Sequence, residues 1–148
     1  MSGKKLLIVI PCYNEEEALP STLKRMETLM NKMLGEKLID KNSRVMFVDD
    51  GRADNTLQKL KKGVGKTPFF EALRLSRNFG HQSAILAGMF DNEADIYVTI
   101  DADLQDDPDC IVEMLQKTKA GADIVYGVRR ERSSDTWFKR VSAQAFYR

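Results

Sequence analysis

Short apolar runs alternate along the chain with longer stretches in which apolar residues recur every three or four positions. This two-period pattern predicts an α/β domain, because side chains alternate faces in a strand but return to one face about every 3.6 residues in a helix. The runs read as strands at Leu6 to Ile10, Arg44 to Val48, Phe69 to Leu75, Ile96 to Ile100 and Ile124 to Tyr126. Runs with so little internal alternation suit a mainly parallel sheet covered by helices on both faces. Helices fill the intervals. From Glu15 to Leu34, residues Ala18, Leu19, Leu23, Met26, Leu29, Met30 and Met33 keep helical spacing, with Gly35 as a stop. Shorter helices are expected over about Asn55 to Lys62, His81 to Asp91 and Pro108 to Lys119.

The 148 residues are 43% hydrophobic and carry a net charge of +1, so one sizeable core is within reach and no global field selects a polyanionic partner. A single domain over residues 1–148 is expected, and no nucleic-acid partner. Cys12 and Cys110 lie far apart and form no ligand pair, which fits reduced thiols in the cytoplasm. No run approaches the roughly 20 apolar residues of a membrane span. The last residues, from Trp137, stop inside a helix-like pattern that places Phe138, Val141, Ala145 and Phe146 on one face, and suggest a domain truncated at its C-terminus. Such a face can lie in a membrane interface or pack on a core.

In open parallel sheets ligands collect at the carboxyl ends of the strands, so the residues there carry the functional information. Most telling is Asp101-Ala102-Asp103-Leu104-Gln105 after the fourth apolar run. In an extended segment Asp101, Asp103 and Gln105 share a face, and hard oxygen donors at an open strand end suit Mg²⁺ or Mn²⁺. An EF-hand loop is excluded, because its sixth and twelfth positions are Asp106 and Val112 rather than glycine and glutamate. Asp107 and Pro108 read as a cap and first turn for the helix that follows.

The other ends are polar as well. Pro11-Cys12-Tyr13-Asn14-Glu15-Glu16 follows the first strand. Tyr13 could stack on a base and Glu15 accept a hydrogen bond from one, while Asn14 could equally cap the helix. Asp49-Asp50-Gly51 follows the second strand, and neighbouring side chains there face opposite ways, so one acid should enter the cleft and the other anchor the loop. Asp50 is the one expected to contact a nucleobase or ribose. After the third strand, Arg77 and His81 could meet a pyrophosphate at a helix start. After the fifth, Arg129 and the Lys139-Arg140 pair form a basic cluster suited to a second anionic substrate. Gly63-Val64-Gly65-Lys66-Thr67 resembles the tail of a P-loop, but Leu60 stands where its first glycine belongs and Pro68 with an apolar strand follows instead of a helix.

Taken in order, Val9 to Glu16, Val48 to Gly51, Leu75 to His81, Asp101 to Pro108 and Tyr126 to Arg129 resemble the catalytic domain of family 2 glycosyltransferases. The resemblance is to the branch that includes dolichyl-phosphate mannose synthase and the bacterial polyprenyl-phosphate (bactoprenol) glycosyltransferases. It implies a GT-A, Rossmann-like fold that binds a UDP- or GDP-sugar. The nucleotide-sugar would be held by Pro11, Tyr13, Asn14, Glu15, Asp49, Asp50, Arg77, His81, Asp101, Ala102 and Asp103. Asp101, Asp103 and Gln105 would hold the metal, and Arg129, Lys139 and Arg140 the phosphate of a polyprenyl acceptor. The resemblance further implies a cytoplasmic location, at the cytoplasmic face of the membrane in the full-length protein. One departure is plain: the family usually writes serine after Asp-Asp-Gly, and here Gly51 is followed by Arg52.

The reaction expected is inverting transfer of a sugar from the nucleotide to a dolichyl or undecaprenyl phosphate. Two alternatives stand beside it: a family 2 enzyme with a sugar-hydroxyl acceptor in cell-wall or polysaccharide synthesis, and a truncated, non-catalytic nucleotide-binding or interaction module.

Overall fold

The computed structural model describes residues 3–51 and 55–128. Four parallel strands, β1 (Leu6–Cys12), β2 (Arg44–Asp49), β3 (Phe70–Arg74) and β4 (Ile96–Thr99), form one sheet in the order β3-β2-β1-β4. The helices α1 (Leu19–Gly35), α2 (Thr56–Val64), α3 (His81–Asp91) and α4 (Cys110–Lys119) alternate with them. The chain divides into two compact units after Glu113, and the sheet lies in the first.

Burial explains the order. Every residue of β1 is buried, as is β2 apart from Arg44, whereas β3 and β4 alternate between more and less covered positions. A continuous apolar run can be buried only when both faces and both edges are covered, which puts β1 and β2 at the centre. Leu7, Val9, Met46 and Val48 face α3, where Ala84 joins the same core. Gly88 permits the close approach of that helix, since a Cβ there would stand 2.6 Å from Val9 Cγ1. The alternate residues Leu6, Ile8, Val45 and Phe47 are buried too, as are the apolar positions of α1 at Leu19, Met26, Leu29, Met30 and Met33. Phe47 meets the Phe70 ring edge-on with 5.2 Å between centroids. A Cβ on Gly63 of α2 would collide with the Leu23 side chain, so α2 lies close against α1.

Three sequence expectations need correction. The first helix begins at Leu19, not Glu15; Ala18 is its N-cap and Pro20 occupies its first turn. Proline is accommodated there because its missing N–H would have no helical partner. Asn14 therefore caps nothing in α1 and takes a left-handed conformation instead (φ 58°). Ile124 to Tyr126 is not a strand: Ile124 and Tyr126 are 71% and 80% exposed, and an extended segment with no ladder partner has nothing to hold it as one. Finally, α2 continues to Val64, past the expected end at Lys62, and the glycines of the segment already rejected as a P-loop end a helix rather than precede one, in agreement with that rejection.

In the second unit α4 ends near Gly121, whose φ of 104° suits a glycine stop. Among the described residues no helix is long and apolar enough to cross a membrane.

Candidate functional site

The order β3-β2-β1-β4 reverses direction between β1 and β4, and at such a switch point the loops leaving two neighbouring strands part in opposite directions. The last β1–β4 pair is Val9 with Thr99, whereas β1 runs on beside β2 to Cys12 and Asp49. Pro11, which cannot donate to a ladder, lies beyond that last β4 pair. A cleft of about 380 Å³ opens here, within the roughly 300–1,000 Å³ usual for small-molecule sites.

All four strand ends reach it. From β1 come Pro11, Tyr13 and Glu15; from β2, Asp50; from the β3 end, Asn78, Gly80 and His81, with Ala84 from the first turns of α3; from β4, Asp101, Ala102 and Asp103. Of the residues expected to hold a nucleotide-sugar, Asn14, Asp49 and Arg77 are not among those lining the cleft. Asp49 is buried and pairs with Arg74 at 3.7 Å. The Arg77 guanidinium stands 4.8 Å from the centre of the Phe79 ring, a cation–π contact. Asn78, Gly80 and Ala84 are not among the residues the sequence points to individually; the first two belong to the Leu75 to His81 segment, and Ala84 lies one helical turn further on.

Asp50 does two things at once. Its Oδ1 accepts a hydrogen bond from the Phe79 N–H at 2.8 Å and its Oδ2 one from the Gly80 N–H at 3.0 Å. The carboxylate thus ties the end of β2 to the entrance of α3 and sets where His81 begins that helix. Gly51, with φ 78°, makes the turn possible, and a Cβ there would run into the Arg77 backbone.

Asp101 and Asp103 both face the cleft, but not through extended geometry. β4 ends at Thr99, Ala102 and Asp103 sit in a turn, and Leu104 is left-handed (φ 54°). That inversion breaks the alternation that would have carried Gln105 onto the same face. Gln105 is exposed, does not line the cleft, and donates its backbone N–H to Asp103 Oδ1 at 3.1 Å. His81 Nε2 lies 3.6 Å from Asp101 Oδ1. Positive φ at a leucine is uncommon and costs energy, so the surrounding contacts must hold it.

The electrostatics are negative. Glu15 has its pKa raised above the ordinary carboxylate value first by burial and then by the charges of Asp103 and Asp101. Such a cleft favours a cation, or a ligand that brings one. Asp107 caps the turn that leads into α4 rather than α4 itself, which begins at Cys110: its Oδ1 accepts the Asp109 N–H at 3.0 Å and its carbonyl oxygen the Cys110 N–H at 3.1 Å. The hydrogen bond from the Asp109 N–H, opposed by desolvation and reinforced by the Arg25 guanidinium, holds the Asp107 carboxyl below its usual range.

The acceptor-side residues Arg129, Lys139 and Arg140, and the Arg52 turn, lie outside the described residues.

An open parallel sheet with an acidic cleft at its switch point is the architecture of ligand-binding α/β domains. Residues 7–147 match the model of glycosyl transferase family 2, and the chain belongs to that family. It is 43% identical over 145 residues to the "uncharacterized glycosyltransferase YkoT" of Bacillus subtilis, covering 97% of this chain and 43% of that protein. Against YkcC of the same organism it is 40% identical over 141 residues, covering 95% and 42%. The chain therefore spans less than half the length of the curated relatives it matches. Among solved structures, the mannosyltransferase PcManGT from Pyrobaculum calidifontis, in complex with GDP-Man and Mn²⁺, superposes with a TM-score of 0.57 at 18% identity, over 68% of this chain and 28% of that one. S. aureus TarS 1-349 in complex with UDP gives 0.57 at 18% identity, over 86% and 40%. The shared fold is the GT-A arrangement, as the sequence led one to expect.

Proposed function

We propose that this chain forms the donor half of a metal-dependent, inverting glycosyltransferase that moves a sugar from a nucleotide-sugar to a polyprenyl phosphate. One observation carries the reading: Pro11, Tyr13, Glu15 and Asp50 share a single cleft with Asp101 and Asp103. In that cleft the half-exposed Tyr13 ring offers a stacking surface for a base.

The donor set fits Mg²⁺ or Mn²⁺. Among the described residues no group of three or more His, Cys, Asp or Glu side chains gathers as a metal cage. Two carboxylates with an open remainder are what such ions use when substrate phosphates complete the shell. The charge that raises the Glu15 pKa is also the charge a divalent ion would offset. Asp101 and Asp103 would hold the ion, whose Lewis acidity would stabilise the departing diphosphate.

The chain's own contribution is placement. Asp50 fixes the start of α3 so that His81 stands beside Asp101 at the edge of the cleft. A lipid phosphate, with its second pKa near ~6, is largely ionised at neutral pH and needs little general-base help. Arg129, Lys139 and Arg140 would receive it and screen repulsion between the two anionic substrates. A hydroxyl acceptor would need a base. Asp106 and Asp107 are the nearby carboxylates, and Asp107 is already engaged by the Asp109 N–H and by Arg25. This reading also brings the full-length protein to the cytoplasmic membrane surface, where its acceptor resides.

Calorimetric titration of the chain with UDP and GDP, with Mn²⁺ and with EDTA, is the first test. Transfer of radiolabelled sugar into organic-extractable lipid is the second. Mn²⁺-dependent nucleotide binding together with lipid labelling supports the proposal. Binding without transfer to any acceptor would favour a nucleotide-binding module, and label appearing only in a water-soluble glycan would favour a hydroxyl acceptor.

A further inference from the structure

We propose that Thr22 and Arg25, on one face of α1, are positioning residues that hold the Asp101–Asp103 turn in the shape a metal-bound diphosphate requires. The inference rests on the donor-site reading above and adds to it a part of the molecule remote in sequence.

Thr22 is completely buried, and its Oγ1 lies 2.5 Å from the Ala102 carbonyl oxygen and 3.0 Å from that of Ala18. One hydroxyl carries one proton, and the shorter contact places it toward Ala102. The Ala102 carbonyl belongs to the peptide that joins Ala102 to Asp103, so fixing it fixes the plane from which the Asp103 side chain departs and the spacing to Asp101. Ala102 itself is 2% exposed, so its methyl group anchors the turn from below while the flanking aspartates face out.

Arg25 lies three residues further along α1 and therefore on the same face. Its Nη2 contacts Asp107 Oδ1 at 3.2 Å and Asp109 Oδ2 at 2.6 Å. The segment from Ala102 to Asp109 is thus gripped at both ends by one helix. Between the grips sits Leu104 in its left-handed conformation, which the turn would relax if either end were released. A helix that packs on the core is a rigid support, and carboxylates that bind a metal gain affinity when their backbone is held in advance.

The test compares Thr22→Val, Thr22→Ser and Arg25→Gln with the unaltered chain in calorimetric titrations of UDP and GDP, each with Mn²⁺ and with EDTA. Valine keeps the shape of threonine and removes only the hydroxyl. Thr22→Val is expected to lower the Mn²⁺-dependent nucleotide affinity by roughly tenfold or more, and to leave affinity in EDTA unchanged. Thr22→Ser should restore it. Arg25→Gln, at a partly exposed position, should lower it by roughly two- to fivefold, which keeps the proposal testable should Thr22→Val not fold. The proposal is overturned if the valine and glutamine variants bind like the unaltered chain in Mn²⁺, if they lose affinity equally in EDTA, or if serine does no better than valine. A chain that binds neither nucleotide more tightly with Mn²⁺ than with EDTA, before any substitution, contradicts the donor-site reading itself.

Discussion

Two acidic turns leave the central sheet toward the same cleft, and they use their carboxylates in opposite ways. At the end of β2, Asp49 and Asp50 are each only 2% exposed, and their side chains hold the structure: one pairs with Arg74, the other accepts two backbone N–H groups. After β4 the arrangement is inverted. The Asp101 side chain is 59% exposed and faces the cleft, while the backbone between the two aspartates is held from behind by α1. Identical residue types thus differ here in exposure: both aspartates are buried as structural ties at the end of β2, whereas after β4 Asp101 and Asp103 stay exposed toward the cleft even though Asp103 Oδ1 also accepts the Gln105 N–H at 3.1 Å.

Substitutions break this contrast in a graded way. Asp50→Ala leaves the Phe79 and Gly80 N–H groups without their charged acceptor, and should cost about 2–3 kcal/mol of unfolding free energy in urea titrations. Gly51→Ala forces a Cβ onto a residue at φ 78° and against the Arg77 backbone; a loss of about 2 kcal/mol in the same assay is expected. Asp101→Ala, by contrast, should change stability by no more than about 0.5 kcal/mol, because an exposed side chain is removed. A large destabilisation by Asp101→Ala would erase the distinction between the two turns.

A further effect is a pH dependence. Burial and the neighbouring Asp103 and Asp101 charges raise the folded-state pKa of Glu15 above its unfolded value, so ionising it in the folded chain is penalised. That penalty is present above the folded pKa and disappears as pH falls below the unfolded value near 4.5. Glu15→Gln should therefore stabilise slightly at pH 7, by less than about 1 kcal/mol, and not at pH 3.5. Unfolding curves at the two pH values check the sign.

Much of this architecture is legible in the residues themselves. The apolar runs at Leu6, Arg44, Phe69 and Ile96 mark the four strands of the described residues, and the helix at His81 to Asp91 has the expected bounds, because short apolar runs stand out from the helical spacing between them whether both faces are buried, as in β1 and β2, or only one, as in β3 and β4. The start of α1 was open to reading too, since Pro20 marks a first turn better than Asn14 marks a cap. Other features depend on contacts across the chain. The Thr22 hydroxyl meets a carbonyl 80 residues away, and no local signal separates it from any other helical threonine. The same holds for Asp50, whose two acceptors are committed to N–H groups 29 and 30 residues on, although its presence in the cleft was expected. For Gln105, alternation failed because Leu104 inverts the backbone, and nothing in a leucine announces a positive φ. Ile124 to Tyr126 misled for the converse reason: an apolar run is a strand only where a partner ladder exists.

The central claim is that Asp101 and Asp103 bind a nucleotide diphosphate through a divalent ion. Calorimetric titration of UDP and GDP into the chain and its Asp103→Asn variant, in Mn²⁺ and in EDTA, tests it most directly. The account predicts that one nucleotide binds the unaltered chain at least ~10-fold more tightly with Mn²⁺, and that Asp103→Asn abolishes this gain while leaving the fold intact. Equal affinity of the two proteins in Mn²⁺ would contradict it.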